Sequence, residues 1–520
     1  MKRVDLVQNI ENKDAWDVIV IGGGATGLGV ALDAVTRGYS TLLLEANDFA
    51  KGTSSRSTKL VHGGVRYLAQ GNVALVREAL RERGRLAQNA PHLFKTQPFI
   101  IPGEKWWTAP YYTFGLMIYD LLAGKLSIGR TSYVSKGESR KRLKGVKESK
   151  LNAGVCYYDG QFDDARLATT LAQSIVDNGG TVLNYCRVTD LQKDAAGKVS
   201  GVCCKDTISG KEYTLKAKAV VNATGVFAND IMAMDEPGSK ARIVPSQGIH
   251  LILDRDFLPN DDALMVPKTS DGRVLFAVPW HNKIVVGTTD TLVKDADYEP
   301  KPIDQEVQFI LDTAKDYLTK APTREDVRSV FAGLRPLAAP KEEGKSTKEV
   351  SRSHKVEVSD SGLVHILGGK WTTYRQMAED TVDAAIESGL IFAKPCKTVD
   401  LRLHGYDKNI HLDDSHLSPY GTDAKEIEAL AQSDEKYAAL IHKDHPYTYA
   451  QVRWAMDNEL ATTLEDVLAR RIRLLFLDAR AAGEVAQSVA EFMATHLGWS
   501  EERVNQEVSA FTQLVKQYLL

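Results

Sequence analysis

Residues 17–45 read DVIVIGGGATGLGVALDAVTRGYSTLLLE, and this stretch decides the fold. Trp16, Val18, Ile19, Val20 and Ile21 form a short apolar run rich in β-branched residues, which predicts a strand. Leu28 to Arg37 has helical spacing, Gly38 ends the helix, and Thr41 to Leu44 predicts a second strand closing on Glu45. Between strand and helix, Gly22, Gly24 and Gly27 fall at the G-x-G-x-x-G spacing, with Ala25 and Thr26 inside it. The glycines differ in what they make possible. Gly22 permits the tight turn, Gly24 lets the backbone approach a pyrophosphate, and Gly27 lets helix and strand pack closely. The helix N-terminus offers unpaired N–H groups to the anion, and Glu45 sits near the offset from which an acid grips a ribose hydroxyl. A glycine triplet alone also fits an ordinary strand-to-helix turn; the strand, helix and acid together predict a dinucleotide site.

The remaining composition limits what else the chain can be. At 520 residues it exceeds one usual hydrophobic core, so two or three domains are expected. Hydrophobic residues make up 43% and charged ones 26%, as in soluble globular proteins, and the net charge of −3 argues against a nucleic-acid binder. Met1 to Asp14 lacks the apolar core of a signal peptide, and no stretch reaches roughly 18 uninterrupted apolar residues, which makes cytoplasm the expected location. Cys156, Cys186, Cys203, Cys204 and Cys396 are too scattered for a disulfide framework, and no short histidine spacing predicts a metal.

The pattern along the chain predicts an α/β protein with three parts. A Ser/Thr/Gly-rich loop over residues 52–64 follows the nucleotide unit and leads to a helix from about Val73 to Gln88. Asp164 to Asn178 predicts a helix, Val202 to Lys205 with Tyr213 to Ala217 a hairpin, and Ala219 to Asn222 a strand emptying into Ala223-Thr224-Gly225. Residues 242–291 are β-rich. Val364 to Leu367, Gly368-Gly369 and Tyr374 to Ile386 repeat the strand, glycine, helix order of the N-terminus, aiming backbone amides and Lys370 at one spot. Helical patterns follow over 424–431, 449–459, 465–482, 486–496 and 501–519, with Thr462 and Glu465 as a candidate capping box. Residues 105–125 are dense in aromatic and aliphatic side chains, including Trp106, Trp107, Tyr111 and Phe114, and are edged by lysines. That suits either a segment lying in lipid headgroups or a piece of core.

Six motifs in order give the chain a specific resemblance. VIGGGATG (20–27), TSSRSTKLVHGGVRYL (53–68), VNATG (221–225), GTTD (287–290), GLRPL (333–337) and GGKWTTYR (368–375) resemble the FAD-dependent glycerol-3-phosphate dehydrogenases, of the DAO-type flavoproteins. The resemblance covers residues 15–395 well and the helical tail more loosely. It implies a Rossmann-type FAD-binding domain (1–90, 151–235, 325–395), an antiparallel β-rich substrate domain (91–150, 236–324) and an α-helical C-terminal cap domain (396–520).

It also implies a set of site residues. FAD contacts are expected from Gly22, Gly24, Ala25, Thr26, Gly27 and Glu45, and from the loop residues Thr53, Ser54, Ser55, Ser57, Thr58, Lys59, His62, Gly63 and Gly64. Ala223, Thr224 and Gly225 are expected near the adenosine half; Gly333, Arg335, Gly369, Lys370, Trp371 and Thr372 are expected near the flavin. A phosphomonoester carries a charge near −2, so its site needs cations. Arg66, Arg335 and Lys370 are the candidates, with Tyr67 and Thr373 beside them. His250 is the expected general base and His62 a rival, with Arg335 and Lys370 also expected in catalysis.

The activity implied is oxidation of sn-glycerol 3-phosphate to dihydroxyacetone phosphate, by hydride transfer from C2 to flavin N5, with electrons passed to a membrane quinone. A peripheral association with the inner face of the cell membrane, and a homodimer as candidate assembly, go with it. Three alternatives remain open at this point: an FAD enzyme acting on an amino or 2-hydroxy acid, a glycerol-3-phosphate oxidase using oxygen, and a nucleotide-binding scaffold without catalysis.

Overall fold

A computed structural model of the chain describes residues 1–69, 71–105, 107–338, 354–412 and 415–520, without the side chains of Arg66 and Ala69. Two sheets organise it. In the first, the described strands run in the order Lys355–Val358, Val364–Leu367, Glu212–Asn222, Ala15–Ile21, Thr41–Leu44 and Thr181–Leu183. Ala15–Ile21 pairs in parallel with a neighbour on each side, Val20 opposite Val221 and Leu43. Such a strand is covered on both faces, which is why it reads as a continuous apolar run. Val18 and Val20 enter one core cluster and Trp16, Ile19 and Ile21 another.

The strand Glu212–Asn222 joins what the sequence predicts as a hairpin arm and a separate strand. Its first half pairs antiparallel with Val199–Asp206, Tyr213 opposite Cys204, and its second half pairs parallel with Ala15–Ile21. Burial switches from alternating to continuous along it, because only the second half is central in the sheet.

The second sheet runs Thr291–Leu292, Ile243–Asp254, Lys283–Gly287, Leu275–Trp280, Ala263–Val266, Phe94–Gly103, Ala153–Phe162 and Leu60–Val61, with Ser329–Ala338 on Ile243–Asp254. Leu60–Val61, Ala153–Phe162 and Ser329–Ala338 pair in this sheet and not in the nucleotide-binding one. The register explains it, since Ala153–Phe162 pairs with Phe94–Gly103 along its whole length, and Ser329–Ala338 does the same with Ile243–Ile252. Side chains alternate along Ile243–Asp254. Ile249, Leu251 and Leu253 pack into a core with the helix Asp304–Tyr317, and the opposite face presents His250 and Ile252.

The C-terminal helices share a core with that second face: Trp280, Val285 and Phe331 lie in one cluster with Leu475, Phe476 and Tyr518. The continuous helix expected over 465–482 is broken. Arg473 adopts φ +69, separating a wide turn at Asp466–Arg471 from the short helices Leu474–Leu477 and Ala479–Glu484. Asp466, not Glu465, caps this start, accepting from the Thr462 and Thr463 N–H groups at 2.9 and 3.0 Å. Glu465 is instead drawn into ion pairs with Lys51 and Arg470.

Candidate active site

The glycine turn is packed so tightly that no side chain fits. A Cβ on Gly27 would stand 1.9 Å from the Gly22 carbonyl oxygen, and one on Gly22, at φ +110, 2.7 Å from that of Ala223. The turn therefore lays its amides along a cleft of about 470 Å³, lined by Gly22, Gly24, Ala25, Thr26, Glu45, Thr53, Ser54, Ala223, Thr224 and Gly225, and closed at its far end by Gly369, Lys370 and Trp371. Glu45 faces this cleft. Its oxygens accept from the N–H groups of Gly23 at 2.6 Å and Asn47 at 2.8 Å, and burial pushes its carboxyl above the usual range. A cleft lined by the glycine turn, a helix N-terminus and an acid fits a dinucleotide such as FAD.

The Ser/Thr-rich loop forms one wall. The Ser54 hydroxyl accepts from the Ala25 N–H at 2.9 Å, and its carbonyl accepts from Trp371 Nε1 at 2.8 Å. Thr53 Oγ1 donates to the Leu334 carbonyl at 2.6 Å. Lys59 and Ser55, expected on the cofactor, do not line the cleft. Lys59 is fully buried beneath the loop, donating to Asp164 at 2.8 Å and to the Ser55 carbonyl at 2.6 Å, because an ammonium taken from water requires such partners. Ser55 is buried beside it and contributes that carbonyl to the network. Ser57 faces a cavity, but its hydroxyl is held by Asp164 at 2.7 Å. Gly63 gives its N–H to the Tyr119 hydroxyl at 2.7 Å.

One smaller cavity adjoins the cleft, and a second adjoins the first. The first, of about 230 Å³, brings together Thr58, His62, Tyr67, His250, Gly333, Arg335, Gly369, Lys370, Trp371 and Thr372. The other, about 180 Å³, is lined by His62, Gly64, Tyr67, Asp159, Arg273, Thr288, Asp290 and Arg335, among others. Arg335 borders both. Its guanidinium donates to Thr288 Oγ1 at 3.1 Å, the Thr289 carbonyl at 3.0 Å and the Gln247 carbonyl at 3.3 Å. It lies across Gly248, where a Cβ would stand 2.4 Å from Nη2. Lys370 Nζ sits 4.0 Å over the Tyr67 ring.

His250 is stacked on Phe331, with centroids 4.9 Å apart and planes at 20°. Its Nε2 is 2.9 Å from Thr58 Oγ1. Burial, with Lys59 and Arg335 nearby, holds its pKa well below the ordinary histidine value. At neutral pH it is an uncharged imidazole able to accept a proton.

The structure thus brings His250, Arg335, Lys370, Tyr67 and His62 to one place. Arg66 belongs to the same segment, but its side chain lies outside the described residues. Thr373 is not brought there: it is buried, lines none of these cavities and has its N–H 3.2 Å from the Lys370 carbonyl, in the tight turn before the helix Tyr374–Glu387. Other lining residues were not expected. Phe227 and Tyr298 stack at 4.1 Å beside the long cleft, with Arg187 close by. Asp159 and Arg273 reach the smallest cavity only through the pairing of the second sheet, so no local pattern marks them; Thr288 and Asp290 lie in a motif that does.

Comparisons with known proteins agree with this geometry. Residues 17–375 match the FAD dependent oxidoreductase family, and residues 363–504 match the C-terminal domain of alpha-glycerophosphate oxidase. A probable mitochondrial glycerol-3-phosphate dehydrogenase of Caenorhabditis elegans is 41% identical over 537 residues, covering 97% of this chain and 74% of that one. The Mesocricetus auratus mitochondrial glycerol-3-phosphate dehydrogenase is 39% identical over 539 residues, with the same coverage. The crystal structure of the Bacillus halodurans glycerol-3-phosphate dehydrogenase complexed with FAD superposes with a TM-score of 0.80 at 28% identity, covering 99% of this chain and 97% of that one.

Proposed function

Because the chain belongs to the FAD-dependent glycerol-3-phosphate dehydrogenases, we propose that it oxidises sn-glycerol 3-phosphate to dihydroxyacetone phosphate and delivers the electrons to a membrane quinone. FAD is the cofactor of this family. When bound, it would supply the two-electron acceptor of the reaction.

The chain's own residues account for the rest. Arg335 and Lys370 hold the phosphate dianion by charge-assisted hydrogen bonds. His250, neutral in the unliganded site, takes the proton of the C2 hydroxyl as the alcohol becomes a ketone. A phosphate dianion in the cavity raises the proton affinity of a nearby imidazole, so the base strengthens when substrate arrives. His62 borders both small cavities and helps orient the hydroxyl. The observation that carries this reading is the meeting of two cations and a neutral histidine in one small cavity beside the dinucleotide cleft.

Delivery to a quinone calls for contact with a lipid surface. The helix Thr108–Ala123 exposes Tyr111, Phe114, Met117 and Leu121, the last at 78%. Among the described residues no helix is long and apolar enough to cross a membrane. This face supports a helix lying in the headgroup layer on the inner side of the cell membrane. Trp106, at its start, lies outside the described residues.

The test is an anaerobic absorption spectrum of the FAD-loaded protein. Glycerol 3-phosphate is expected to bleach the flavin band, and a quinone analogue to restore it. Bleaching by 2-hydroxy or amino acids in its place would reject the substrate, and reoxidation by oxygen as fast as by quinone would reject the acceptor.

A further inference from the structure

Every residue lining the dinucleotide cleft and its two neighbouring cavities precedes Tyr374. The loop carrying Thr53 and Ser54 is nevertheless also held from far beyond that point. Asp48 accepts from Arg470 Nε at 2.6 Å and from both terminal nitrogens of Arg471 at 2.8 and 2.9 Å. Lys51 is paired with Glu465 and Glu299. The Ser55 carbonyl accepts from Arg473 Nη2 at 2.9 Å, and that guanidinium also reaches Asp164 at 3.0 Å. Arg56 donates to the Tyr518 hydroxyl at 3.2 Å. Positions 48, 51, 55 and 56 of the loop are therefore each gripped by the C-terminal domain.

The chemistry of these contacts says what they do. The loop is small and polar, so it has little apolar surface with which to hold itself, and Ala50 and Lys59 adopt left-handed backbone at φ +59 and +63. Such conformations persist where the surroundings impose them. Buried ion pairs add little net stability over apolar packing, because desolvation offsets their attraction; their clearest use is to specify one geometry. Asp48, Arg470, Arg471 and Arg473 are all at most 3% exposed. The left-handed break at Arg473, which interrupts an otherwise helical pattern, turns its side chain onto the loop.

We propose that the C-terminal helical domain is a clamp on the cofactor loop: Arg470, Arg471 and Arg473 hold residues 48–56 in the conformation that FAD binds, without touching FAD. They are positioning residues, and FAD affinity is set from this domain.

The test uses the full chain, stripped of FAD and reloaded, with binding read by flavin fluorescence and unfolding followed with and without FAD. Arg473→Gln is expected to weaken FAD binding about tenfold, the loss typical of a removed charge-assisted hydrogen bond. It should also shrink the rise in Tm that FAD produces. Glu465→Gln, at the part-exposed Lys51 pair, is expected to weaken binding severalfold and decides the matter alone if Arg473→Gln does not fold. Arg503→Gln, which breaks an ion pair with Glu507 in the same domain, is expected to leave FAD binding unchanged. FAD affinity within twofold of the parent in both loop-facing variants, an equal fall in Tm with and without FAD, or an equal loss of affinity in Arg503→Gln overturns the proposal. No turnover is measured, so the outcome is independent of the substrate assignment.

Discussion

His250 and Thr58 meet with Nε2 and Oγ1 2.9 Å apart in the wall of the cavity that also holds Arg335 and Lys370. The histidine comes from the centre of the second sheet and the threonine from the loop of the nucleotide unit. Their contact fixes the imidazole orientation, while stacking on Phe331 fixes its plane.

If His250 is the base, His250→Asn lowers kcat by a factor on the order of 10²–10⁴ while FAD stays bound. Thr58→Val, which removes only the orienting hydroxyl, costs on the order of tenfold. The pH profile of kcat/KM reports the free enzyme, where burial, Lys59 and Arg335 keep this group well below the ordinary value. The base is active when deprotonated, so activity falls on acidification, and the acidic limb lies below pH 6.5. Near-normal turnover in His250→Asn, or an acidic limb above pH 7, removes His250 from the role.

Arg335 and Lys370 are predicted to act in the transition state and on phosphate, not on cofactor retention. Replacing either by Ala costs about 2–4 kcal/mol in kcat/KM with the flavin absorbance of the purified protein unchanged. Arg335→Lys recovers only part, since one ammonium does not reproduce a guanidinium that reaches Thr288 and the Thr289 carbonyl together. Loss of flavin in place of turnover assigns these residues to the cofactor.

His404 gives the protein a pH-sensitive joint between the end of the helix Asp164–Asp177 and the C-terminal segment. Its ring nitrogens lie 2.7 Å from Asp177 and 2.8 Å from Asp423. Burial opposes its charge, but the two carboxylates prevail and raise its pKa to about 9. The folded state thus binds a proton more tightly than the unfolded chain. The stabilisation is complete below about pH 6.5, the unfolded value, and is lost as pH rises through 9. His404→Gln is expected to cost about 2 kcal/mol at pH 6 and to differ little from the parent at pH 10. Denaturant unfolding at the two pH values measures this, and an equal loss at both contradicts it.

How far the sequence carried differs by element. The strand, glycine turn and helix at 15–36 are legible because local geometry alone demands glycine at Gly22 and Gly27. Arg335 and Lys370 are legible through motifs and His250 through the family resemblance of its strand, and the fold brings the three to one cavity. The sheet membership of Ala153–Phe162 and Ser329–Ala338 is not, because periodicity shows that a strand exists but not which strand it meets. Asp159 arrives at the smallest of the three cavities by such a pairing, and Arg273 from the turn between two paired strands. The break at Arg473 is equally hidden: Leu, Ala and Arg favour helix, and the left-handed turn goes with long-range contacts of its guanidinium to Ser55 and Asp164.

The helix Thr108–Ala123 joins the lipid question to the site. Outward it shows Tyr111, Phe114 and Leu121 at 65, 71 and 78% exposure. Inward its Tyr119 hydroxyl accepts from the Gly63 N–H and donates to Asp159, each at 2.7 Å. Large apolar side chains on one face of a surface helix mark an interaction site, and about 0.8 kcal/mol accompanies each buried CH₂. Phe114→Lys with Leu121→Lys is therefore expected to lower binding to phospholipid vesicles by at least about tenfold. Both positions are exposed, so turnover with a soluble electron acceptor should stay near that of the parent, while turnover with a long-chain quinone in vesicles falls with the bound fraction. Vesicle sedimentation of the two proteins decides it: equal partitioning would mean that this face meets another protein surface or water, and that electrons leave by a different route.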